Sequence, residues 1–168
     1  MTYGTRAEFD TYIALRGLII PSDADNDDKD AALLVASEWI DNVYGDFFTG
    51  TKTDGFNQVR EWPRKAAYTN TDPQYIFTSS EIPERVKQAA YEAAVRQLNE
   101  PGVLDKDFEP SLYTSVSVED AISVEFASHN QSSDIQIKIA KIEQLLLPLF
   151  DQGRQINNSN LSGGAKRL

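Results

Sequence analysis

A dense cluster of aspartates is the feature whose residue types could most directly do chemistry, since carboxylates at this density can hold a divalent cation. Its members are Asp23, Asp25, Asp27, Asp28 and Asp30. An EF-hand loop starting at Asp23 would need glycine at its sixth position and glutamate at its twelfth. Those positions hold Asp28 and Leu34, so the calcium motif fails. We interpret the cluster as a solvated loop with carboxylates at the positive end of the second predicted helix.

Other residue types that support catalysis are scarce. The chain has no cysteine and one histidine, His129, which lies in a polar connector. A catalytic histidine needs a positioned nucleophile or carboxylate, and no such set is recognisable. Residues 163–166, Gly-Gly-Ala-Lys, lack the first glycine and the strand–helix frame of a phosphate-binding loop. We therefore expect no catalytic residue, no cofactor and no metal, and predict that the chain is not an enzyme.

The charge balance argues against tight binding to duplex nucleic acid. The 168 residues include 16 Lys and Arg against 26 Asp and Glu, a net charge of −10. Residues 1–60 alone carry 5 basic and 11 acidic groups, and no segment supplies a basic stripe. Affinity for nucleic acid that is independent of sequence depends on cations that neutralise phosphates.

The length fits one domain, and no targeting or membrane-spanning segment is predicted.

Helical periodicity predicts four helices as the elements that position these residues. They cover residues 6–16, about 28–44, from Pro83 to about 98, and about 134–150. Thr5 and Glu8 have the spacing of a capping box at the first helix, and Gly17 ends it. Gly45 closes the second helix, and Pro101 stops the third.

The remaining segments complete the predicted fold, which is mainly α. Residues 46–82 are rich in Gly, Pro, Thr and Asn and are predicted to form a long irregular loop. Alternating polar and apolar residues predict a β-hairpin over about 114–127. We expect a four-helix bundle with this hairpin, in a domain over residues 1–153, followed by an extended docking tail over residues 154–168.

Three groups of residues are candidates for contact with a partner protein. The first is Trp62, Pro63 and Arg64 in the long loop. Trp62 either anchors the loop to the core or contacts an adjacent subunit, and both can hold. The second group is the apolar face of the hairpin: Val116, Val118, Ile122 and Val124. The third is the tail, where a basic tip ending in an apolar residue suits an acidic or mixed pocket: Leu161, Lys166, Arg167 and Leu168.

Four stretches in this order carry a family resemblance. They are residues 3–10 (YGTRAEFD), 31–41 (AALLVASEWID), 61–64 (EWPR) followed by 82–94 (IPERVKQAAYEAA), and 142–149 (IEQLLLPL). Together they cover most of residues 3–150. The chain resembles the head-to-tail adaptor (connector) proteins of tailed bacteriophages. Sequences of this kind are also labelled DnaT-like single-stranded-DNA-binding proteins, which implies a role in replication.

The adaptor resemblance implies a structural virion protein. It implies a homo-oligomeric ring of twelve subunits at the head–tail interface, assembled in the host cytoplasm. One face would bind the portal protein and the other a tail, nozzle or completion protein, with no membrane contact and no catalytic residues. DNA would pass through the ring without specific binding, and a net charge of −10 per subunit agrees, because an acidic channel repels phosphate. The alternative is a replication-associated binder of single-stranded DNA, which the same acidity disfavours.

Overall fold

A computed structural model describes residues 1–105 and 139–151. Four α-helices and four short β-strands follow one another in these ranges. In chain order they are α1 (Arg6–Arg16), α2 (Asn26–Tyr44), β1 (Thr51–Lys52), β2 (Arg64–Lys65), β3 (Tyr68–Thr69), β4 (Asp72–Ile76), α3 (Glu84–Asn99) and α4 (Ala140–Leu146). The predicted hairpin over 114–127 and the tail over 154–168 lie outside the described residues.

Helix α1 begins and ends as its sequence predicts. The Thr5 hydroxyl accepts a hydrogen bond from the Glu8 amide, and the Glu8 carboxylate accepts one from the Thr5 amide, which completes a capping box. Gly17 follows the helix in the left-handed conformation, with φ 60°, and its amide closes the last turn. Phe9 and Tyr12 turn inward and pack against the ring of Tyr91 on α3.

Helix α2 begins two residues earlier than predicted, because Asp25 caps it. The Asp25 carboxylate accepts hydrogen bonds from the amides of Asp27 and Asp28, and the Asp28 carboxylate accepts one from the Asp25 amide. Two carboxylates of the aspartate cluster therefore satisfy backbone donors at a helix N-terminus. This agrees with the interpretation of the cluster as a helix start.

Helices α2 and α3 form the centre of the fold and share the largest contact between elements. Small side chains on α3 allow the two backbones to approach closely, and they are fully buried: Ala89, Ala90, Ala93 and Ala94. Leu33, Ala36 and Ile40 cover the facing stripe of α2. Burial of such a stripe stabilises a helix more than propensity does. Helix α1 packs on both α2 and α3.

The mainly α prediction is confirmed. The predicted bounds of the fourth helix, about 134–150, are wrong: α4 covers seven residues, follows the extended Ile139, and gives way to a 3-10 turn at Leu147–Leu149, where Pro148 has no amide hydrogen to continue the α-helical hydrogen bonding. It packs on α3 through buried Ile142 and Leu146. The finer prediction of a four-helix bundle, and the proposed domain boundary at residue 153, stay predictions.

The prediction that residues 46–82 form one irregular loop is only partly correct. The segment contains two short antiparallel strand pairs, β1 with β2 and β3 with β4; a short turn joins β3 to β4, whereas the long irregular segment between Lys52 and Arg64 joins β1 to β2. Three of these strands are only two residues long, so they leave almost no periodic pattern in the sequence. Long-range hydrogen bonds order them, as described below.

Among the described residues, no helix is long and apolar enough to cross a bilayer.

Candidate interaction surface

Trp62 anchors the segment between β1 and β2 in the core. Its side chain has 0% of its surface exposed and packs edge-on against Phe48 and Phe77, with ring centroids 5.6 Å away in both cases. Its backbone amide donates to the Tyr3 hydroxyl at 3.1 Å, and the following bond to Pro63 is cis. The structure thus agrees with the core interpretation of Trp62, while a contact between this segment and another subunit stays a prediction.

Arg64 holds the start of β2 to the chain before β1. Its guanidinium is almost fully buried, with Nε 2.8 Å from the Thr49 carbonyl oxygen and Nη2 2.9 Å from that of Gly50. Nη1 donates to Glu61 Oε2 at 2.5 Å, and Glu61 also pairs with Lys52 at 2.7 Å. A planar guanidinium suits this role because it donates several hydrogen bonds in fixed directions and stays charged. We call Arg64 and its acceptors the arginine clamp.

A second buried arginine ties the same segment to α2 and to the start of the chain. Arg60 lies 3.3 Å from Asp41 and 3.2 Å from Glu38, and its Nε donates to the Met1 carbonyl oxygen at 2.7 Å. The Tyr3 hydroxyl donates a short hydrogen bond to Asp41. Burial raises the pKa of Asp41 although Tyr3 and Arg60 act in the opposite direction, and burial beside Asp41 raises the pKa of Tyr3.

The β3–β4 pair is held by the turn after α4. The backbone and side-chain amides of Asn70 donate to the carbonyl oxygens of Pro148 at 2.8 Å and Leu147 at 2.7 Å. Thr49 Oγ1 donates to the Tyr68 carbonyl oxygen at 2.7 Å. The two strand pairs are therefore fixed to each other and to the helical core by polar contacts.

Large apolar side chains project from these anchored strand pairs into solvent. Phe56 is fully exposed and Val59 is 81% exposed in the loop between β1 and β2. Tyr75 and Ile76 are 50% and 62% exposed at the end of β4. We call Phe56 with Val59 the loop patch and Tyr75 with Ile76 the strand patch. Aromatic side chains displayed on an ordered support are typical anchors of protein–protein contacts.

The cations of the described residues are largely occupied by carboxylates. Eight Lys and Arg side chains lie in ion pairs: Arg6, Lys29, Lys52, Arg60, Arg64, Lys87, Arg96 and Lys141. Three of them, Lys52, Arg60 and Arg64, support the strand pairs that carry the loop patch. A phosphate backbone would have to compete with these carboxylates for each cation. The arrangement favours contact with protein over contact with polyanions.

No cluster of three metal-ligating side chains occurs within residues 1–105 and 139–151. Three of the predicted partner-binding residues lie together at the start of β2, where Trp62 anchors the chain in the core: Trp62, Pro63 and Arg64. The others lie outside the described ranges: Val116, Val118, Ile122, Val124, Leu161, Lys166, Arg167 and Leu168.

Sequence reasoning missed the two exposed patches, although a signal for one of them exists. Phe56 stands between Gly55 and Asn57, in a turn-forming stretch where a large aromatic residue has no periodic apolar neighbours. A bulky apolar residue in such a turn indicates a side chain that faces solvent.

Comparison with known proteins gives a family and nothing narrower. The family model described as "Putative DnaT-like ssDNA binding protein" matches residues 2–164. No curated protein and no solved structure matches the chain.

Proposed function

The chain belongs to the family described as DnaT-like ssDNA binding proteins, and we propose that this member is a structural subunit of a bacteriophage head-to-tail adaptor ring. In this role it joins the portal protein to a tail, nozzle or completion protein. The proposal combines the sequence resemblance to adaptor proteins with the exposed patches and the paired cations described above.

The observation that carries the proposal is the rigid display of the loop patch. Phe56 and Val59 are exposed, yet the chain on both sides of them is held by the arginine clamp and by Trp62. An exposed apolar group on a preordered support loses little conformational entropy when it binds. This is the property expected of a subunit interface.

Ring assembly also needs two different faces on each subunit, because a closed cyclic ring forms through heterologous contacts. The loop patch and strand patch supply one face in our proposal. The predicted hairpin over 114–127 supplies a second, and the tail over 154–168 docks on the portal protein. Twelve subunits remain the number that the adaptor resemblance implies. The net charge of −10 per chain keeps the channel from retaining DNA.

The loop patch provides a direct test of the ring proposal. We expect the wild-type chain, mixed with the portal protein of the same virus, to form ring complexes visible by native mass spectrometry and electron microscopy. The double variant Phe56→Asp with Val59→Asp should reduce ring occupancy at least tenfold, which corresponds to about 1.4 kcal/mol or more. Both side chains are exposed, so the melting temperature should stay within about 2 °C of wild type.

Leu15→Asp is the matched control, because Leu15 is 82% exposed on α1. It should leave ring occupancy unchanged. Absence of any ring or portal complex with the wild-type chain would contradict the adaptor proposal. Equal ring occupancy for the double variant and for Leu15→Asp would show that the loop patch is not part of the interface.

The second candidate is a binder of single-stranded DNA, which the family description and the exposed aromatic rings of Phe56 and Tyr75 favour. Bases stack on such rings with about 1–3 kcal/mol each. An anisotropy titration with a labelled oligothymidine at physiological salt separates the two functions. Binding at micromolar concentration or below, weakened at least tenfold by Phe56→Ala and Tyr75→Ala but not by Leu15→Ala, would establish this candidate. The adaptor proposal predicts no such binding.

A further inference from the structure

A cleft of about 350 Å³ lies between the N-terminal half of α2 and the C-terminal end of α3. Val35 and Leu98 contribute apolar lining from the two helices, together with small alanine side chains of α2. Asp23 and Asp28 line the cleft from the α2 side, and Gln97 lines it from α3. The cleft is separate from the loop patch and the strand patch.

The two aspartates of the cleft have no cationic partner among the described residues, and the Asp28 carboxylate accepts one hydrogen bond, from the Asp25 amide. Neighbouring cations are directed elsewhere, since Lys29 pairs with Asp10 at 2.8 Å, Arg6 pairs with Asp30 at 2.6 Å, and Arg16 lies over the Tyr12 ring.

Gln97 supplies an independent observation. Its Oε1 is buried and accepts no hydrogen bond in the structure. A buried acceptor without a donor costs free energy, which a donor entering the cleft would recover. The cleft thus combines unpaired negative charge, an unused acceptor and apolar walls, and it suits a segment in which cationic donors stand next to an apolar side chain.

We propose that in the free subunit residues 166–168 of the same chain, Lys166, Arg167 and Leu168, occupy this cleft, and that they leave it when the tail docks on the portal protein. Their two cations complement the two aspartates and can donate to Gln97, while leucine complements the apolar walls.

The tail is long enough to reach the cleft from its own subunit. Phe150 stacks on Tyr44 at the C-terminal end of α2, with ring centroids 5.7 Å apart. The cleft residue Asp28 lies 16 residues earlier on that helix, about 24 Å away at 1.5 Å per residue. Lys166 lies fifteen residues after Asp151, and this stretch spans up to about 50 Å when extended. Tethering also raises the local concentration of the segment far above that of other copies, so docking within one chain is favoured. This contact concerns the single subunit and does not depend on the proposed ring.

Paramagnetic relaxation tests the contact in the full chain. The chain has no cysteine, so Ser162→Cys places one spin label four residues before Lys166. We expect the amide signals of Val35 and Leu98 to lose at least half of their intensity at low protein concentration. Charge reversal by Lys166→Glu with Arg167→Glu should restore them. The matched variant Lys166→Arg with Arg167→Lys keeps both charges and should leave the broadening in place.

Two outcomes overturn the proposal. The first is undiminished cleft signals in the labelled chain. The second is broadening in a mixture of spin-labelled protein with isotope-labelled protein that carries no spin label, because this places the segment of another copy in the cleft. Asp23→Asn, which removes no described hydrogen bond, should weaken the broadening at least twofold, and an unchanged value would exclude the acidic lining as the attractive element.

Discussion

Replacing Arg64 with methionine tests whether the arginine clamp orders the strand pairs. Methionine keeps most of the apolar volume but removes every donor of the guanidinium. The carbonyl oxygens of Thr49 and Gly50, 2.8 and 2.9 Å from the arginine, then lose these buried donors. Glu61 loses one partner but retains Lys52 at 2.7 Å.

The magnitude follows from these contacts. Each of the two carbonyl groups left unpaired costs about 1–3 kcal/mol, and breaking a buried ion pair on one side costs about 3–5 kcal/mol when the remaining charge has no other partner. Because Lys52 still compensates Glu61, we expect a total loss of about 3–5 kcal/mol in the free energy of unfolding. This is a large share of the roughly 5–15 kcal/mol typical of a domain.

Urea unfolding followed by tryptophan fluorescence measures the loss, since Trp62 lies in the affected segment. Lys65→Met is the matched control, because it removes an exposed cation from the same strand, and it should change the free energy of unfolding by less than about 0.5 kcal/mol. A loss below about 1 kcal/mol for Arg64→Met would refute the reasoning, since it would mean that water replaces the guanidinium at both carbonyl groups.

Two further predictions concern the first turns of the chain. Gly4→Ala should lower the free energy of unfolding by about 2–5 kcal/mol, because Gly4 has φ 86° and a Cβ there would meet the Tyr91 hydroxyl oxygen at 2.0 Å. Gly17→Ala, at φ 60° with nothing within 4 Å, should cost only about 1–2 kcal/mol in the same denaturant titration, and equal costs would contradict the steric part of the argument. Hydrogen bonds from Lys87 and from the amide and hydroxyl of Thr5 together lower the pKa of Glu8 from 4.5 to about 2, so the unfolded chain takes up this proton first and stability should fall as pH drops from about 4.5 towards 2. Glu8→Gln should flatten this decline between about pH 4.5 and pH 2 in urea titrations, and an unchanged decline would show that other carboxylates cause it.

Local sequence signals were sufficient for the bounds of α1 and for the start of α3. The capping box of Thr5 and Glu8 and the stop at Gly17 predict the observed bounds of α1, because these signals act within one turn. The start of α3 after Pro83 is likewise local. Helix α2 begins two residues before its predicted start because its cap, Asp25, stands in a run of aspartates, and several of these residues could serve as a cap.

The amino-acid sequence by itself determined the acidic charge, the start and end of α1 and the mainly α class, since each depends on composition or on contacts within one helical turn. Only the tertiary structure decided that residues 46–82 contain two strand pairs and that Phe56 and Tyr75 face solvent. The physical reason is that these strands are ordered by partners far away in the chain. Asn70 donates to Pro148, and Trp62 donates to Tyr3, so no local window contains the interactions that select this conformation.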